Sequence, residues 1–410
     1  MEVADNLNTV LRRGHPAAER CLSALGRRLY FPSGVTSQGA EAAECPLNAT
    51  VGQFVGDRGE AIPLPSMSGG LGRLNNGEVF LYAPQGGRKD LRLAWQERLR
   101  GQTDGPLSLP MVTSGLTHGL SIVADLFTDT GTQVLLPDPG WGNYNHIFGT
   151  RTGAEMIRYL VVDEQGRLNL PAIAAALAET TGPSVLLLNF PSNPLGYTPT
   201  VQEAAALVEV INAAPNPLVV LCDDAYHGMS WEDGLAIDGI FPLLADADPE
   251  RILPVKIDGA TKELFFFGGR VGFITFGVDG AAGAALEEKA RALARATISS
   301  VSAPSQAMVM QALTAPDLAE QQAVLRDILR RRYRALRTAL EHHNLSAWPF
   351  NSAFFALLRV ENSHVIRRGL LQDGVGLVAF PGALRLSYST IPEGEIDRLV
   401  AITARHISRS

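Results

Sequence analysis

Hydrophobic positions between residues 105 and 277 alternate between short β-rich runs and stretches with helical spacing. This alternation predicts βαβ units around a mostly parallel sheet sandwiched by helices. The candidate strands are 133–136, 184–189, 218–222, 252–257 and 272–276. The candidate helices are 116–127, 170–179, 201–213 and 282–295. Ligands bind at the carboxyl ends of strands in such sheets, so polar residues that follow these strands are the first candidates for a site.

The pattern changes after about residue 311. A long helical stretch, strands at 353–360 and 384–389 and a closing helix from near Pro392 predict a smaller α+β unit. Residues before about 60 have weak periodicity and many Gly and Pro, so we expect them to wrap across the surface. We therefore predict an N-terminal segment 1–65 that covers the site, a large domain 66–305 and a small domain 306–410, with 1–65 belonging partly to the small domain.

Composition narrows the classes of protein. A chain of 410 residues that is 46% hydrophobic can bury substantial cores. Its most apolar runs, such as 184–190, are far shorter than a bilayer span, so we expect that the chain is not a membrane protein. No basic segment leads into an apolar one at the N-terminus, which predicts a cytoplasmic location. The net charge of −7 argues against nonspecific nucleic-acid binding.

Cysteine and histidine give no clear metal signature. Cys21, Cys45 and Cys222 are odd in number and lack metal-ligand spacing. The pair His342-His343 falls in a helical stretch, where a structural role is the simpler interpretation. We therefore expect neither a disulfide framework nor a metal site.

Lysine is so scarce that each one can be weighed separately. The four lysines are Lys89, Lys256, Lys262 and Lys289. Lys262 follows an apolar run and precedes a glycine-flanked arginine, Arg270, by eight positions. An amine in this setting is typical of a Schiff-base lysine beside a phosphate site. On this segment alone, a solvated lysine at a strand end explains the pattern equally well.

Three polar clusters follow predicted strands. The segment 189–196 contains two prolines and two asparagines, although an ordinary strand-to-helix turn would use the same residues. Asp223 and Asp224 end a buried strand, where a carboxylate needs a partner such as a cationic heterocycle, or else caps the next segment. Segment 113–119 places glycine, hydroxyls and free N–H groups at a helix start, which suits phosphate but also ordinary capping.

Taken in order, these clusters resemble the class I aminotransferases, pyridoxal-phosphate enzymes of the aspartate aminotransferase fold. The resemblance covers about residues 46 to 400. The segments that carry it are 48–54, Tyr82, 114–117, 137–143, 189–196, 223–226, Lys262, 270–272 and Arg385.

The resemblance implies pyridoxal 5′-phosphate as cofactor and a role for each matching residue. Lys262 would form the Schiff base and then move the substrate proton. Asp223 would pair with the ring nitrogen, which makes the ring an electron sink. Tyr226 and Asn193 would hydrogen-bond the phenolic oxygen, and Trp141 would stack on the ring.

The resemblance also implies which residues bind the phosphate and the substrate carboxylate. The phosphate would be held by Gly115, Leu116, Thr117 and Arg270. Tyr82 would reach it from the partner subunit of a homodimer. Arg385 would clamp the substrate α-carboxylate in a bidentate pair, with Gly52 and Asn193 beside it.

Two positions depart from the family pattern around the cofactor. Gly259 stands where the family usually has a serine that donates to the phosphate, at a cost of about 1 kcal/mol of cofactor binding, which Thr261 would offset. Leu195 replaces the usual threonine of the asparagine-proline turn.

A third departure concerns the substrate. Members specific for aspartate carry an arginine for the distal carboxylate, and segment 296–300 contains none, with Arg295 on the preceding helix. The aromatic residues Phe54, Trp141, Phe354 and Phe355 are candidate pocket walls, although core packing explains each one as well. We therefore expect an apolar or aromatic amino donor.

Three functions fit these residues. The first is an aminotransferase that passes an amino group from an L-amino acid to a 2-oxo acid through a pyridoxamine phosphate intermediate. The second is a lyase that uses the same Lys262 for β-elimination, since reaction choice depends on which Cα bond stands perpendicular to the ring. The third, a ligand-sensing regulator of the aminotransferase type, is disfavoured because no helix-turn-helix pattern precedes the resemblance.

Overall fold

The computed structural model describes residues 2–32 and 34–409. The helices are α1 (Glu2–Gly14), α2 (Pro16–Arg20), α3 (Ala24–Arg28), α4 (Val35–Glu41), α5 (Asn76–Phe80), α6 (Lys89–Arg100), α7 (Leu116–Phe127), α8 (Leu170–Ala178), α9 (Val201–Asn212), α10 (Ala260–Glu263), α11 (Gly280–Thr297), α12 (Ala303–Leu313), α13 (Leu318–His342), α14 (Ser363–Gln372) and α15 (Ile396–Ile407). The strands are β1 (Leu47–Asn48), β2 (Met111–Thr113), β3 (Gln133–Asp138), β4 (Glu155–Leu160), β5 (Ser184–Leu188), β6 (Leu218–Asp223), β7 (Ile252–Gly259), β8 (Gly272–Phe276), β9 (Phe355–Arg359), β10 (Val375–Gly376), β11 (Val378–Phe380) and β12 (Ala383–Ser387).

Seven strands form one large sheet in the order β2-β8-β7-β6-β5-β3-β4. The pairs from β4 to β7 are parallel, while β8 pairs antiparallel with β7 and with β2. The prediction of a mostly parallel sheet is confirmed. Strand β5 is buried along its whole length, which explains why its sequence reads as a continuous apolar run rather than an alternating one.

Helices cover both faces of the large sheet. On one face, Gly119 of α7 lets the helix approach closely, since a Cβ there would lie 3.3 Å from Ile257 Cδ1. On the other face, Trp95 of α6 stacks on Phe273 of β8 with ring centroids 4.1 Å apart. The parallel register places Asp223 opposite Ile257, so the ends of β6 and β7 meet at one edge of the sheet.

The C-terminal part builds a smaller sheet of β11, β12 and β9, all antiparallel. Its central strand β12 carries Arg385, which pairs with Leu357 and Val378. Strand β1 pairs in parallel with β10, and this ties the segment after residue 46 to the C-terminal elements. The sheets match the expected pair of α/β and α+β units, and the boundaries at 65 and 305 stay predictions.

The start of the chain is helical, although we had predicted no helices before about residue 60. Helices α2 and α3 are short but well capped: His15 Nδ1 accepts from Ala18 N at 3.1 Å, and Ser23 Oγ accepts from Gly26 N at 3.0 Å. Apolar side chains of α1 such as Val10 remain exposed. Val3, Leu7 and Val10 nevertheless recur at helical spacing on one face of α1, so this stretch carried a helical pattern that the prediction overlooked.

No helix among the described residues is both long enough and apolar enough to cross a membrane.

A charged cluster is buried behind the ends of β6 and β7. The amine of Lys256 contacts the carboxylate of Asp224 and lies 3.9 Å from Asp258 Oδ2, and all three side chains are buried. Burial opposes the charge on Lys256, but the two carboxylates raise its pKa overall. Burial also raises the pKa of Asp258 to about 7, and Trp95 Nε1 donates to its Oδ1 at 3.0 Å. Each charged group of the cluster therefore has a partner within the protein interior.

Lys256→Met is expected to destabilise the chain strongly, because it leaves Asp224 and Asp258 buried without their cation at a cost of about 3–5 kcal/mol. Lys289→Met is the matched control, since Lys289 is exposed on α11. The thermal unfolding midpoint of the two variants measures the effect. Equal midpoints for both would show that the buried amine is not needed for stability.

Candidate active site

Lys262 lies in the short helix α10, directly after β7 ends at Gly259. Its Nζ is 4.9 Å from the ring centroid of Tyr226. Burial lowers the pKa of Lys262 to about 8, against the opposing effect of the Asp223 carboxylate. A partly neutral amine in a recess is competent as a nucleophile. The structure thus favours this interpretation over a solvated lysine.

Lys262 opens onto a cavity of about 120 Å³. The lining residues are Leu116, Thr117, Leu120, Trp141, Tyr144, Asn189, Asn193, Asp223, Ala225, Tyr226 and Lys262. Seven of the twelve residues predicted from the sequence therefore meet around one space, to which five separate segments of the chain contribute. Trp141 forms one wall and contacts Tyr144 edge to face, with centroids 5.3 Å apart.

Asp223 presents one unpaired oxygen to this cavity region. Its Oδ2 accepts a hydrogen bond from Tyr144 Oη at 2.5 Å, while its Oδ1 is buried with no hydrogen-bond partner. Burial raises the pKa of Asp223 to about 6, and the Tyr144 hydrogen bond and the Lys262 charge oppose this rise. A buried acceptor without a donor is costly, so the site suits a ligand that brings an N–H group, preferably a cationic one.

The loop after β5 is locked to the end of β6. Asn189 Nδ2 donates to the Asp223 backbone oxygen at 2.8 Å, and Asn193 N donates to Asn189 Oδ1 at 2.9 Å. The Asn193 side chain is hydrogen-bonded to Tyr226. Burial raises the pKa of Tyr226, with Arg385 and Asn193 opposing the shift. Tyr226 therefore remains a hydrogen-bond donor at neutral pH.

Arg385 extends from β12 to the same place. Its Nη1 donates to Asn193 Oδ1 at 3.0 Å and its Nη2 to Thr50 O at 2.7 Å, while its buried Nε has no partner. The guanidinium lies 4.5 Å from the Phe355 ring centroid. Burial lowers the pKa of Arg385 to about 10, so it stays charged at neutral pH. A buried cation with a free N–H is suited to a carboxylate.

Gly52 lies in the segment that follows β1, beside these residues. A Cβ at this position would be 2.5 Å from Phe355 Cζ and 3.6 Å from Tyr226 Oη. Only glycine fits without moving an aromatic ring. The predicted substrate residues Gly52, Asn193 and Arg385 are thus together, next to the cavity.

The start of α7 combines the features expected of an anion site. Gly115 has φ of +76° and precedes the helix, and a Cβ there would lie 2.4 Å from Arg270 Nη2. The Arg270 guanidinium therefore packs directly against the glycine. Free N–H groups of the first helical turn together with a guanidinium are typical of a phosphate site.

The departure at Gly259 has a structural reason. A Cβ at this position would be 2.6 Å from Gly272 Cα and 2.7 Å from Val271 O, because β7 and β8 pair here as Gly259 opposite Gly272. A serine would force the two strands apart. The Oγ1 of Thr261 is buried without a partner among the described residues, which keeps it available as a replacement donor.

Other predicted positions lie outside the cavity. Tyr82 is 92% exposed, so this chain does not bring it to its own site. Leu195 is fully buried in the loop after β5. Arg295 lies on α11, exposed, with Nη1 3.4 Å from Ser299 Oγ.

Tyr144 is the main residue that the sequence did not single out. It follows Trp141 by three positions, so the two side chains share one face of the turn that leads into the next helical segment. A tyrosine directly after the predicted segment 137–143 was the available signal, but only the fold shows that it meets Asp223.

The turn that carries Lys262 is held from two directions. The side chain of its neighbour Glu263 is buried against Arg98 of α6. The backbone oxygen of Glu263 accepts from Gln322 Nε2 of α13 at 2.8 Å. Burial raises the pKa of Glu263, but Arg98 and other nearby cations lower it overall. These contacts fix the position of Lys262 relative to α6 and to α13.

A larger cavity, about 780 Å³, lies between Gly166–Glu203 on one side and Arg337–Asn351 on the other. Several of its charged groups are already paired, as with Arg337 Nη1 and Glu232 Oε1 at 2.9 Å. The smaller cavity at Lys262 holds the unpaired groups, so we place the chemistry there.

A family model described as "Aminotransferase class I and II" matches residues 47–402. The chain belongs to this aminotransferase family. Among curated relatives, a probable aspartate/prephenate aminotransferase of Rickettsia felis is 27% identical over 163 residues, 38% of this chain and 37% of the relative. A probable N-succinyldiaminopimelate aminotransferase of Mycobacterium tuberculosis is 29% identical over 200 residues, 48% of each chain. These alignments span less than half of each of the two relatives.

Solved structures match over nearly the whole chain. An aminotransferase from Anaerococcus prevotii has a TM-score of 0.84 at 20% identity and covers 95% of this chain and 98% of its own. The aspartate aminotransferase of Thermus thermophilus with maleate has a TM-score of 0.77 at 22% identity, covering 94% and 99%. At this identity the likeness establishes the aspartate aminotransferase fold.

The cofactor of this family is pyridoxal 5′-phosphate, and the residues of this chain fit it. The unpaired Asp223 Oδ1 suits the ring N–H, and Tyr226 and Asn193 suit the phenolic oxygen. The Gly115–Arg270 contact suits the phosphate, and the amine of Lys262 suits the aldehyde. The individual roles remain predictions.

Tyr144→Phe is expected to weaken cofactor binding about tenfold, because it removes a charge-assisted hydrogen bond from Asp223 and raises the pKa of that carboxyl further. Titration of cofactor-free protein, followed by absorbance, measures the affinity. Tyr159→Phe is the matched control: Tyr159 is equally buried, but its Oη donates to Leu187 O at 2.6 Å. Equal affinity in the two variants would contradict the assignment.

Proposed function

We propose that this chain is an aminotransferase that transfers an amino group from an L-amino acid to a 2-oxo acid with pyridoxal 5′-phosphate. The observation that carries the proposal is the set of unsatisfied groups around Lys262. Asp223 Oδ1 lacks a donor and Arg385 Nε lacks an acceptor, although both are buried. Asp223 Oδ1 would accept from the ring N–H, and Arg385 Nε would donate to the substrate carboxylate, as this chemistry requires.

When bound, the cofactor supplies an aldehyde for the amine and a ring that accepts electrons from the substrate Cα. Asp223 keeps a proton on the ring nitrogen, because its carboxylate is the nearby base with an unpaired oxygen. Arg385 binds the substrate carboxylate and thereby orients the Cα. The Lys262 amine, with its pKa lowered to about 8, takes and returns the Cα proton. Tyr226 and Asn193 stabilise the phenolic oxygen by hydrogen bonds.

The proposed donor is an apolar or aromatic L-amino acid. The cavity wall includes Trp141 and Tyr226, and Lys262 is the cationic side chain among its described lining residues. Phe355 lies against both Tyr226 and Arg385. A side chain without charge would avoid leaving a second carboxylate unpaired in this setting.

The proposed assembly is a homodimer in which Tyr82 completes the partner's site. Tyr82 ends an exposed apolar run with Phe80 and Leu81, whose exposed fractions are 79% and 68%. Three consecutive exposed apolar side chains are unusual on a free surface and suit an interface. The phenol of Tyr82 would then donate to the phosphate held at Gly115.

Purified protein with bound cofactor is expected to lose its visible absorbance when an amino donor is added and to regain it with a 2-oxo acid. Apolar and aromatic donors should act faster than aspartate. Lys262→Ala should abolish the cycle, whereas Lys289→Ala, at an exposed site, should not. Release of ammonia and an oxo acid without any acceptor would show a lyase instead, and protein that stays colourless with added cofactor would refute the proposal.

Mixing Tyr82→Ala and Lys262→Ala chains tests the dimer. The assay uses a cofactor concentration too low to saturate the Tyr82→Ala variant. If Tyr82 serves the partner's site, hybrid dimers contain one intact site, and an equal mixture recovers about a quarter of wild-type activity. Light scattering establishes that the variants are dimers, and recovery should appear only after subunit exchange, which native mass spectrometry follows. No recovery in confirmed hybrids would place Tyr82 outside the partner's site.

A further inference from the structure

Two neighbouring histidines and an aspartate converge where α13 ends and α15 begins. His342 is the last residue of α13 and His343 follows it, while Asp397 lies in the first turn of α15. His343 Nε2 is 3.0 Å and His342 Nδ1 is 3.5 Å from the same atom, Asp397 Oδ1. The fold thus joins residues 54 positions apart, which the sequence could not show.

The geometry points to a binding site for a divalent transition metal, which we propose is Zn²⁺. The candidate ligand atoms of the three residues all lie within 4.8 Å of one another. Tetrahedral Zn²⁺ with bonds of about 2.0–2.1 Å requires ligand atoms about 3.3 Å apart. Two of the three separations are already close to this value. Two imidazoles and one carboxylate form a ligand set that zinc sites use, with the fourth position left to water.

A simpler explanation accounts for the same distances without a metal. A histidine in the last turn of a helix interacts favourably with the helix dipole, and one carboxylate oxygen can accept hydrogen bonds from both imidazoles. The two explanations differ in the imidazoles, which donate N–H groups in a hydrogen-bonded cluster but offer lone pairs to a metal. A cation at that point would separate the groups slightly and bind all three.

The site lies at the surface, so its side chains can adjust to the metal. The side chains of His342 and Asp397 are 71% and 62% exposed, and that of His343 is 21% exposed. A bound ion would connect α13 to α15. Because α13 also holds the turn of Lys262 through Gln322, the metal would stabilise a helix that reaches the active site.

The chain offers a matched control in the same region. His406 Nε2 lies 2.8 Å from Asp373 Oδ2, on a partly buried histidine with an exposed aspartate. This pair has one histidine and one carboxylate, and no second histidine joins it among the described residues. It should therefore not bind the metal appreciably.

The test is a Zn²⁺ titration of the cofactor-bound protein after removal of metals, with a chromophoric chelator as competitor. We expect one Zn²⁺ per chain with a micromolar Kd and a rise of about 2 °C in the thermal midpoint under saturating metal. His343→Ala, His342→Ala and Asp397→Asn should each weaken binding at least about tenfold, whereas His406→Ala should not. Metal-free midpoints of all variants establish that they are folded.

Two results would overturn the proposal. One is wild-type protein that binds no Zn²⁺ with a Kd below about 100 µM, which would leave a plain hydrogen-bonded cluster. The other is binding retained in the His342→Ala/His343→Ala double variant, which would place the metal on other groups such as the exposed Cys21.

Discussion

The hydrogen bond from Tyr144 to Asp223 holds a carboxylate in the interior of the large sheet while its second oxygen stays without a donor. Several neighbouring groups converge on this unsatisfied oxygen. The parallel pairing of β6 with β7 brings Lys262 to the same edge, and Asn189 fixes the backbone of Asp223. A folded chain tolerates such an atom where a ligand supplies the missing donor.

Asp223 ends β6 and Asp224 follows it directly, and their side chains point to opposite faces of the sheet because side chains alternate along an extended chain. Asp223 faces the cavity and is incomplete. Asp224 faces the other layer, where Lys256 neutralises it. The charge of Asp224 is thus neutralised on the face away from the cavity, whereas Asp223 still lacks a partner on the face that lines it. Because the two side chains point to opposite faces, these adjacent carboxylates have different partners although they are equally buried.

Much of the fold was predictable because strands β3 and β5 to β8 are largely buried and read as apolar runs, and α7 was bounded by glycine and a clear periodicity. The exposed edge strand β4 lacks such a run and was not predicted. The antiparallel insertion of β8 between β7 and β2 was not predictable either, since strand order depends on contacts far apart in the chain. The fold brings most of the candidate site residues in recognisable segments together, and their roles stay predictions. Tyr144, the partners of Lys256 and the approach of Asp397 to the histidines were missed, because each depends on tertiary contact rather than on local pattern.

The scarcity of lysine acquires a chemical meaning in the folded chain. Lys256 is enclosed and Lys262 lines the cavity, which leaves Lys89 and Lys289 as the exposed amines among the four. An acylating reagent or fluorophore directed at amines therefore has two surface side chains to modify, on α6 and α11. Labelling would be confined to few positions, and a reagent small enough to enter the cavity could address Lys262 separately.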